Sequence, residues 1–258
     1  MTQEPWYQPI GDECTLFEAA YARRLPVLLK GPTGCGKTRF VEHMARRLGR
    51  PLVTIACHDD LSASDLTGRW LLDAGGTRWL DGPLTTAVRT GAICYLDELV
   101  EARSDTTVVI HPLADSRRVL PLDKCNQLVQ AHPDFALVVS YNPGYASHHK
   151  VLKPSTLQRF CGIEFGPPEA EIEARIVAHE SGIDPALAAR LVALGARTRR
   201  LQGQGLDEGA STRMLVHAGV LMQQGVAAQA ACRMALVTPL TDDPDLAQAL
   251  RAAVDATF

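Results

Sequence analysis

No run of apolar residues in the sequence approaches the roughly 20 needed to cross a bilayer, so no membrane span is expected. Paired cysteines are missing too. The seven cysteines, at 14, 35, 57, 94, 125, 161 and 232, never form Cys-x-x-Cys, and several sit in apolar runs such as "VTIAC" and "AICYL". They read as free, mostly buried thiols of a reducing cytoplasm. Excess positive charge is absent: 26 Lys and Arg stand against 29 Asp and Glu, and aromatics make up only 5%. A nucleic-acid partner is therefore not expected, because neither a basic footprint nor a stacking platform is present. There is no internal repeat, no low-complexity run and no Asn-Lys-x-Asp guanine signature. The N-terminus "MTQEPWYQPI" is acidic and contains proline, which does not fit a signal peptide; a cytoplasmic location is expected.

What is there is an ordinary globular composition, 46% hydrophobic and 21% charged over 258 residues. That length is near the limit of a single core, so one large domain and a smaller one are expected. "LPVLLKG" (25–31) is a short apolar run closed by glycine, a buried strand. "KTRFVEHMARRLGRP" follows as a helix in which Phe40, Met44 and Leu48 recur every fourth residue, stopped by Gly49 and Pro51. "PLVTIAC", "GAICYLDE", "FALVVSYN" and "CGIEFG" read as four more strands, and their alternation with helices predicts a parallel α/β sheet. Two stretches interrupt the pattern as hairpins, 70–81 around Ala-Gly-Gly and 117–134 around Asp-Lys-Cys-Asn. From about residue 168 the chain turns Ala/Leu-rich and helical, with Asp184-Pro185 and Asp243-Pro244 as helix starts. The expected division is an α/β domain over 1–167 and a helical subdomain over 168–258.

The chemistry centres on "GPTGCGKT" (31–38), a G-x-x-x-x-G-K-[ST] phosphate loop in the strand–loop–helix context it requires. Backbone amides of residues 33–37 can cradle phosphates at a helix N-terminus. Lys37 reaches the terminal phosphates, and Thr38 offers a hydroxyl to Mg²⁺. "ICYLDE" (93–98) ends a strand in adjacent carboxylates: Asp97 to hold Mg²⁺ through water, Glu98 to orient and polarise the attacking water. Asn142 in "SYNP" ends the next strand and can bond both the γ-phosphate and that water, although Asn-Pro alone also starts turns. Cys35 lies inside the loop, where the helix N-terminus and Lys37 would favour a thiolate, so its oxidation would block ATP binding. His148-His149 have no acidic or cysteine partner at ligand spacing and read as solvated, without a metal. His58-Asp59-Asp60 reads as a strand end entering a turn, with Ser62 and Asp65 as a capping box. Arg197, Arg199 and Arg200 read as a solvated face. "LKPSTLQRF" (152–160) is a short helix with Arg159 at its tip, either a cap of that helix or a group aimed at a phosphate.

Together these pieces resemble the AAA+ ATPases over nearly the whole chain. More narrowly they resemble the MoxR branch and its CbbQ/NorQ group, through "YQPIGDE", "HDDLSASDLTGRW", "LDELVEARSDTTVVIHPLADSRR", "SYNPGY" and "LKPSTLQRF". The resemblance implies a P-loop NTPase sheet of order 5-1-4-3-2, a helical lid, and homo-hexameric rings with ATP between subunits and the two hairpins near the pore. It implies that Arg159 is an arginine finger acting on the neighbour's ATP and that Arg213, in "GASTR", touches ATP within its own subunit. Ile10 and Gly11 would line the adenine pocket. The nucleotide-binding set is then Gly31, Pro32, Thr33, Gly34, Cys35, Gly36, Lys37, Thr38 and Arg39 with Ile10, Gly11 and Arg213. Hydrolysis would rest on Lys37, Glu98, Asn142 and Arg159, and it would move the lid against the sheet. Members of the group work with a von Willebrand factor A-domain adaptor. The CbbO-like case reactivates Rubisco by expelling sugar phosphates; the NorQ case matures nitric oxide reductase. The motifs do not separate the two. A monomeric kinase or nucleotide switch with the same loop is the other reading, but it would not need the acid pair, a lid arginine and a finger together.

Overall fold

The computed structural model describes residues 6–73, 76–143 and 151–258. His148 and His149 lie outside the described residues. The chain forms two compact units: one from the segment ending at Gly31 together with Lys37–Glu164, the other from Pro32–Gly36 together with Phe165–Phe258. The phosphate loop thus groups with the helical half, not with the strand that precedes it.

The first unit runs α1 (Glu13–Ala22), β1 (Val27–Lys30), α2 (Lys37–Arg47), β2 (Leu52–Ala56), α3 (Ala63–Thr67), β3 (Gly68–Asp73), β4 (Gly76–Asp81), α4 (Pro83–Thr90), β5 (Ile93–Asp97), α5 (Ser104–Val109), β6 (Val119–Leu122), β7 (Gln127–Gln130), β8 (Ala136–Tyr141), α6 (Pro154–Leu157) and β9 (Cys161–Glu164). Its central sheet has the order β2-β5-β8-β1-β9, all parallel. With the two hairpins set aside, this is the expected order 5-1-4-3-2. β5 and β8 are apolar without alternation because both faces are covered; Ile93, Cys94, Tyr95, Leu96, Val138 and Val139 are all fully buried. α2 buries Phe40, Val41 and Met44 along one stripe, and the Phe40 ring meets Phe17 of α1 edge-on at 5.5 Å.

The two interruptions are antiparallel hairpins. β3 pairs with β4 in a register that sets Trp70 opposite Trp79, and their rings meet at 5.5 Å and 76°. β6 pairs with β7 across a turn at Asp123–Asn126, where Asn126 takes a left-handed φ of 50°. Trp70 Nε1 donates to the Lys124 carbonyl at 3.0 Å, so the first hairpin leans on the turn of the second. Leu72 and Leu128 stay exposed. The Ser62 capping box starts α3, as the sequence suggests.

The second unit contains α7 (Ala170–Ser181), α8 (Pro185–Arg199), α9 (Thr212–Gln223), α10 (Ala228–Cys232), a π-helical turn (Arg233–Val237), α11 (Thr238–Leu240) and α12 (Pro244–Asp255). Asp184 and Asp243 cap α8 and α12 through their side chains, each followed by proline at the first helical position. Leu191, Leu194, Leu215, Leu236, Leu250 and Val254 form a separate apolar core. Among the described residues, no helix is long and apolar enough to cross a membrane.

Candidate functional site

The period-2 geometry of parallel strands brings the chemistry of the first unit to one place. Side chains two apart point to the same face, so Tyr95 and Asp97 on β5 share a side, as do Ser140 and Asn142 at the end of β8. The register pairs Leu96 with Val139, and one step further sets Asp97 beside Ser140. Asp97 Oδ1 accepts two hydrogen bonds, from Ser140 Oγ at 2.6 Å and Tyr95 Oη at 2.7 Å. Burial pushes the Tyr95 phenol pKa up, which keeps it a donor. The other oxygen, Oδ2, accepts from Thr38 Oγ1 at 3.3 Å. A carboxylate and a hydroxyl converging from β5 and α2 are hard oxygen donors of the kind Mg²⁺ takes alongside phosphate oxygens. Among the described residues no cluster of three or more His, Cys, Asp or Glu side chains forms a metal cage.

Glu98 follows with φ 56° and ψ 50°, a left-handed conformation that a side-chain-bearing residue adopts at some cost. Its backbone N–H donates to Ser140 Oγ at 2.7 Å, so the same hydroxyl that binds Asp97 also holds this bend. The Glu98 side chain is left exposed. Asn142 is buried at 3% exposure. Lys37 is buried at the first position of α2, where its Nζ donates to the Gly31 carbonyl at 2.7 Å. The strand end, the start of α2 and the tips of β5 and β8 thus hold Lys37, Thr38, Asp97, Glu98 and Asn142 on one unit.

Ile10 is held by a residue the sequence reading passed over. Glu13, 4% exposed, accepts at Oε1 from the Ile10 N–H and the Tyr7 hydroxyl, both at 2.8 Å. Tyr7 in turn stacks on His43 of α2, centroids 5.2 Å apart.

In the second unit the loop residues Gly34 and Gly36 take φ values of 72° and 97°. Such turns aim successive N–H groups into an anion-binding concavity. Gly34 packs on the start of α9: a Cβ there would lie 2.6 Å from Ser211 Oγ, and the Arg213 N–H donates to the Gly34 carbonyl at 3.4 Å. Arg213 itself is exposed. Cys35 Sγ contacts the Pro32 carbonyl at 3.0 Å.

Within one chain, Arg159 does cap its helix: Nη1 donates to the Ser155 carbonyl. Its Nε is buried with no hydrogen-bond partner among the described residues. Next to it, His111 Nε2 and Thr156 Oγ1 lie 3.0 Å apart. Burial and then the Arg159 charge hold the His111 pKa below the usual histidine value.

One sequence expectation is corrected. Arg197 and Arg200 are exposed, but Arg199 is not part of a solvated face. It is 18% exposed and makes a bidentate pair with the buried Glu173 at 2.6 and 2.8 Å. Arginine spacing along a helix cannot reveal a carboxylate that arrives from another helix.

Comparison with known proteins fits this arrangement. The family described as "AAA domain (dynein-related subfamily)" matches residues 26–160, and the family described as "CbbQ/NirQ/NorQ C-terminal" matches residues 173–257. The chain is 63% identical to protein CbbQ of Hydrogenophilus thermoluteolus, covering 99% of this chain and 96% of that one. It is 58% identical to protein NorQ of Paracoccus denitrificans, covering 98% and 94%, and 58% identical to the denitrification regulatory protein NirQ of Pseudomonas aeruginosa, covering 97% and 96%. Among solved structures, a variant of RuvB from Thermotoga maritima shares the fold at a TM-score of 0.55 and 15% identity, over 94% of this chain and 67% of that one.

Proposed function

From the chain's membership of the AAA family, as an ATPase of the CbbQ/NirQ/NorQ group, we propose that it is the motor subunit of a homo-hexameric ring. The ring remodels a target protein complex together with a von Willebrand factor A-domain adaptor. The proposed target is Rubisco, freed of inhibitory sugar phosphates with a CbbO-like adaptor in the cytoplasm. The observation that carries the catalytic part is the Thr38–Asp97 pair beside the left-handed Glu98.

In this reading the loop amides and Lys37 bind the phosphates, and Ile10 and Gly11 line the base pocket. Thr38 and Asp97 would hold Mg²⁺, which when bound offsets the charge on the phosphate oxygens. Glu98 orients and polarises the attacking water, Asn142 bonds the γ-phosphate, and Arg213 binds ATP within its own subunit. Arg159 exchanges its own-helix carbonyl for the neighbour's phosphate, which supplies its buried Nε with a partner. Glu98→Gln is expected to bind ATP within about threefold of wild type yet lose on the order of 10²- to 10⁴-fold in turnover. Single-turnover hydrolysis at the wild-type rate would remove Glu98 from the mechanism.

The 58% identity to NorQ over 98% of the chain supports a second target, nitric oxide reductase. Co-expression with each adaptor separates the two. ATP-dependent release of a sugar phosphate from inhibited Rubisco supports the first target, and recovery of nitric oxide reductase activity supports the second.

A further inference from the structure

The buried ion pair of the second unit is bonded to the segment that leads into Ser211 and Arg213, which pack on Gly34 of the phosphate loop. Glu173, in the first turn of α7, is 1% exposed, and both its oxygens face Arg199 at the end of α8. Arg199 Nε donates onward to the Ala210 carbonyl at 2.8 Å, and Thr212 Oγ1 donates to Glu173 Oε1 at 2.7 Å. Thr198 Oγ1 accepts from the Ala210 N–H at 2.9 Å. Gly209 passes so close that a Cβ would stand 2.4 Å from Arg199 Cα. Three helices and the segment 209–212 are therefore tied to one carboxylate.

That segment continues into Ser211 and Arg213, the residues packed on Gly34 of the phosphate loop. Thr212 lies between them in sequence, with its side chain buried on the opposite partner, Glu173. A buried ion pair contributes little net stability, because desolvation offsets the attraction and apolar replacements are often neutral. Its defined effect is geometric: three hydrogen bonds to Ala210 and Thr212, anchored by the two between Arg199 and Glu173, leave the start of α9 one position.

We infer that Glu173, Arg199 and Thr212 are positioning residues that set Ser211 and Arg213 against the phosphate loop, so that the site discriminates ATP from ADP. The inference rests on the ATPase reading and on Arg213, proposed above to bind ATP within its own subunit, reaching the γ-phosphate alongside Asn142. Thr212 is the cleanest probe, since its removal leaves Glu173 paired with Arg199.

The test compares the affinities of the full-length protein for ATPγS and ADP, alongside its melting temperature without nucleotide. Thr212→Val should melt close to wild type, lose about tenfold in the ATPγS-to-ADP affinity ratio and keep its ADP affinity; Thr212→Ser should restore the ratio. A folded Thr212→Val with an unchanged ratio overturns the inference. If that variant does not fold, Glu173→Met with Arg199→Met, which removes both charges together, takes its place under the same criterion. Failure of both variants to fold would make the cluster a structural brace and overturn the positioning role. A wild-type chain that binds neither nucleotide sinks the ATPase reading and this inference with it; one that binds both, with the ratio unmoved in the variants, sinks only the inference.

Discussion

Ser140 is the residue to which both Asp97 and Glu98 are tied. Its hydroxyl donates to Asp97 and accepts from the Glu98 N–H, with both distances below 2.8 Å. Ser140→Ala is expected to lower turnover by roughly 10- to 100-fold, the worth of a hydrogen bond to a charged group, and to lower the melting temperature by roughly 2–10 °C, because a fully buried hydroxyl and its two bonds are lost. Steady-state hydrolysis with a parallel melt checks this, and near-wild-type turnover would contradict it. In the sequence Asp97, Glu98 and Asn142 could be read from strand ends beside a phosphate loop. Ser140 could have been found as well: it sits two before Asn142 and so faces the same side. Glu13 and Glu173 gave no such signal, because their burial comes from partners that only the fold assembles. His111 carries a pH consequence. Its pKa is held down in the folded chain, so the unfolded chain takes up the proton first. Stability is therefore lost as pH falls from the ordinary histidine value, about 6.5, toward the lowered one. His111→Gln should flatten that acid-side decline in a series of melting temperatures against pH; an unchanged decline would show that other groups carry it.

At the scale of elements, the sheet was legible because buried parallel strands read as unbroken apolar runs and their glycine and proline boundaries are sharp. The hairpins were legible from their turns, but not their mutual support, since Trp70 bonds a carbonyl 54 residues away. The π-helical turn after α10 has no signature in the sequence. Gly68 is the element-scale weak point of the first hairpin. It opens β3 with φ 133°, and a Cβ there would meet the Leu80 carbonyl oxygen at 2.4 Å. Gly68→Ala should cost about 1–3 kcal/mol and lower the melting temperature by roughly 2–10 °C. ATP affinity should stay within about twofold of wild type, since none of the nucleotide-site bonds described above involves β3 or β4. Loss of ATP binding in a folded Gly68→Ala protein would mean the hairpin helps shape the nucleotide site.

At the scale of the whole molecule, the account turns on Arg159. In a single chain this arginine bonds its own helix and leaves a buried Nε without a partner among the described residues. In a closed ring each interface sets unlike faces together, so a group unsatisfied on one face can be completed by the next subunit. The measurement that bears on this most directly is ATP turnover in rings mixed from Glu98→Gln and Arg159→Ala subunits, each of which is expected to be nearly inactive alone. At equal mixing about one interface in four pairs an intact Glu98 with a neighbour's intact Arg159. Recovery of up to about a quarter of wild-type turnover is predicted. With assembly confirmed, no recovery at any mixing ratio would contradict a site completed by the neighbouring subunit.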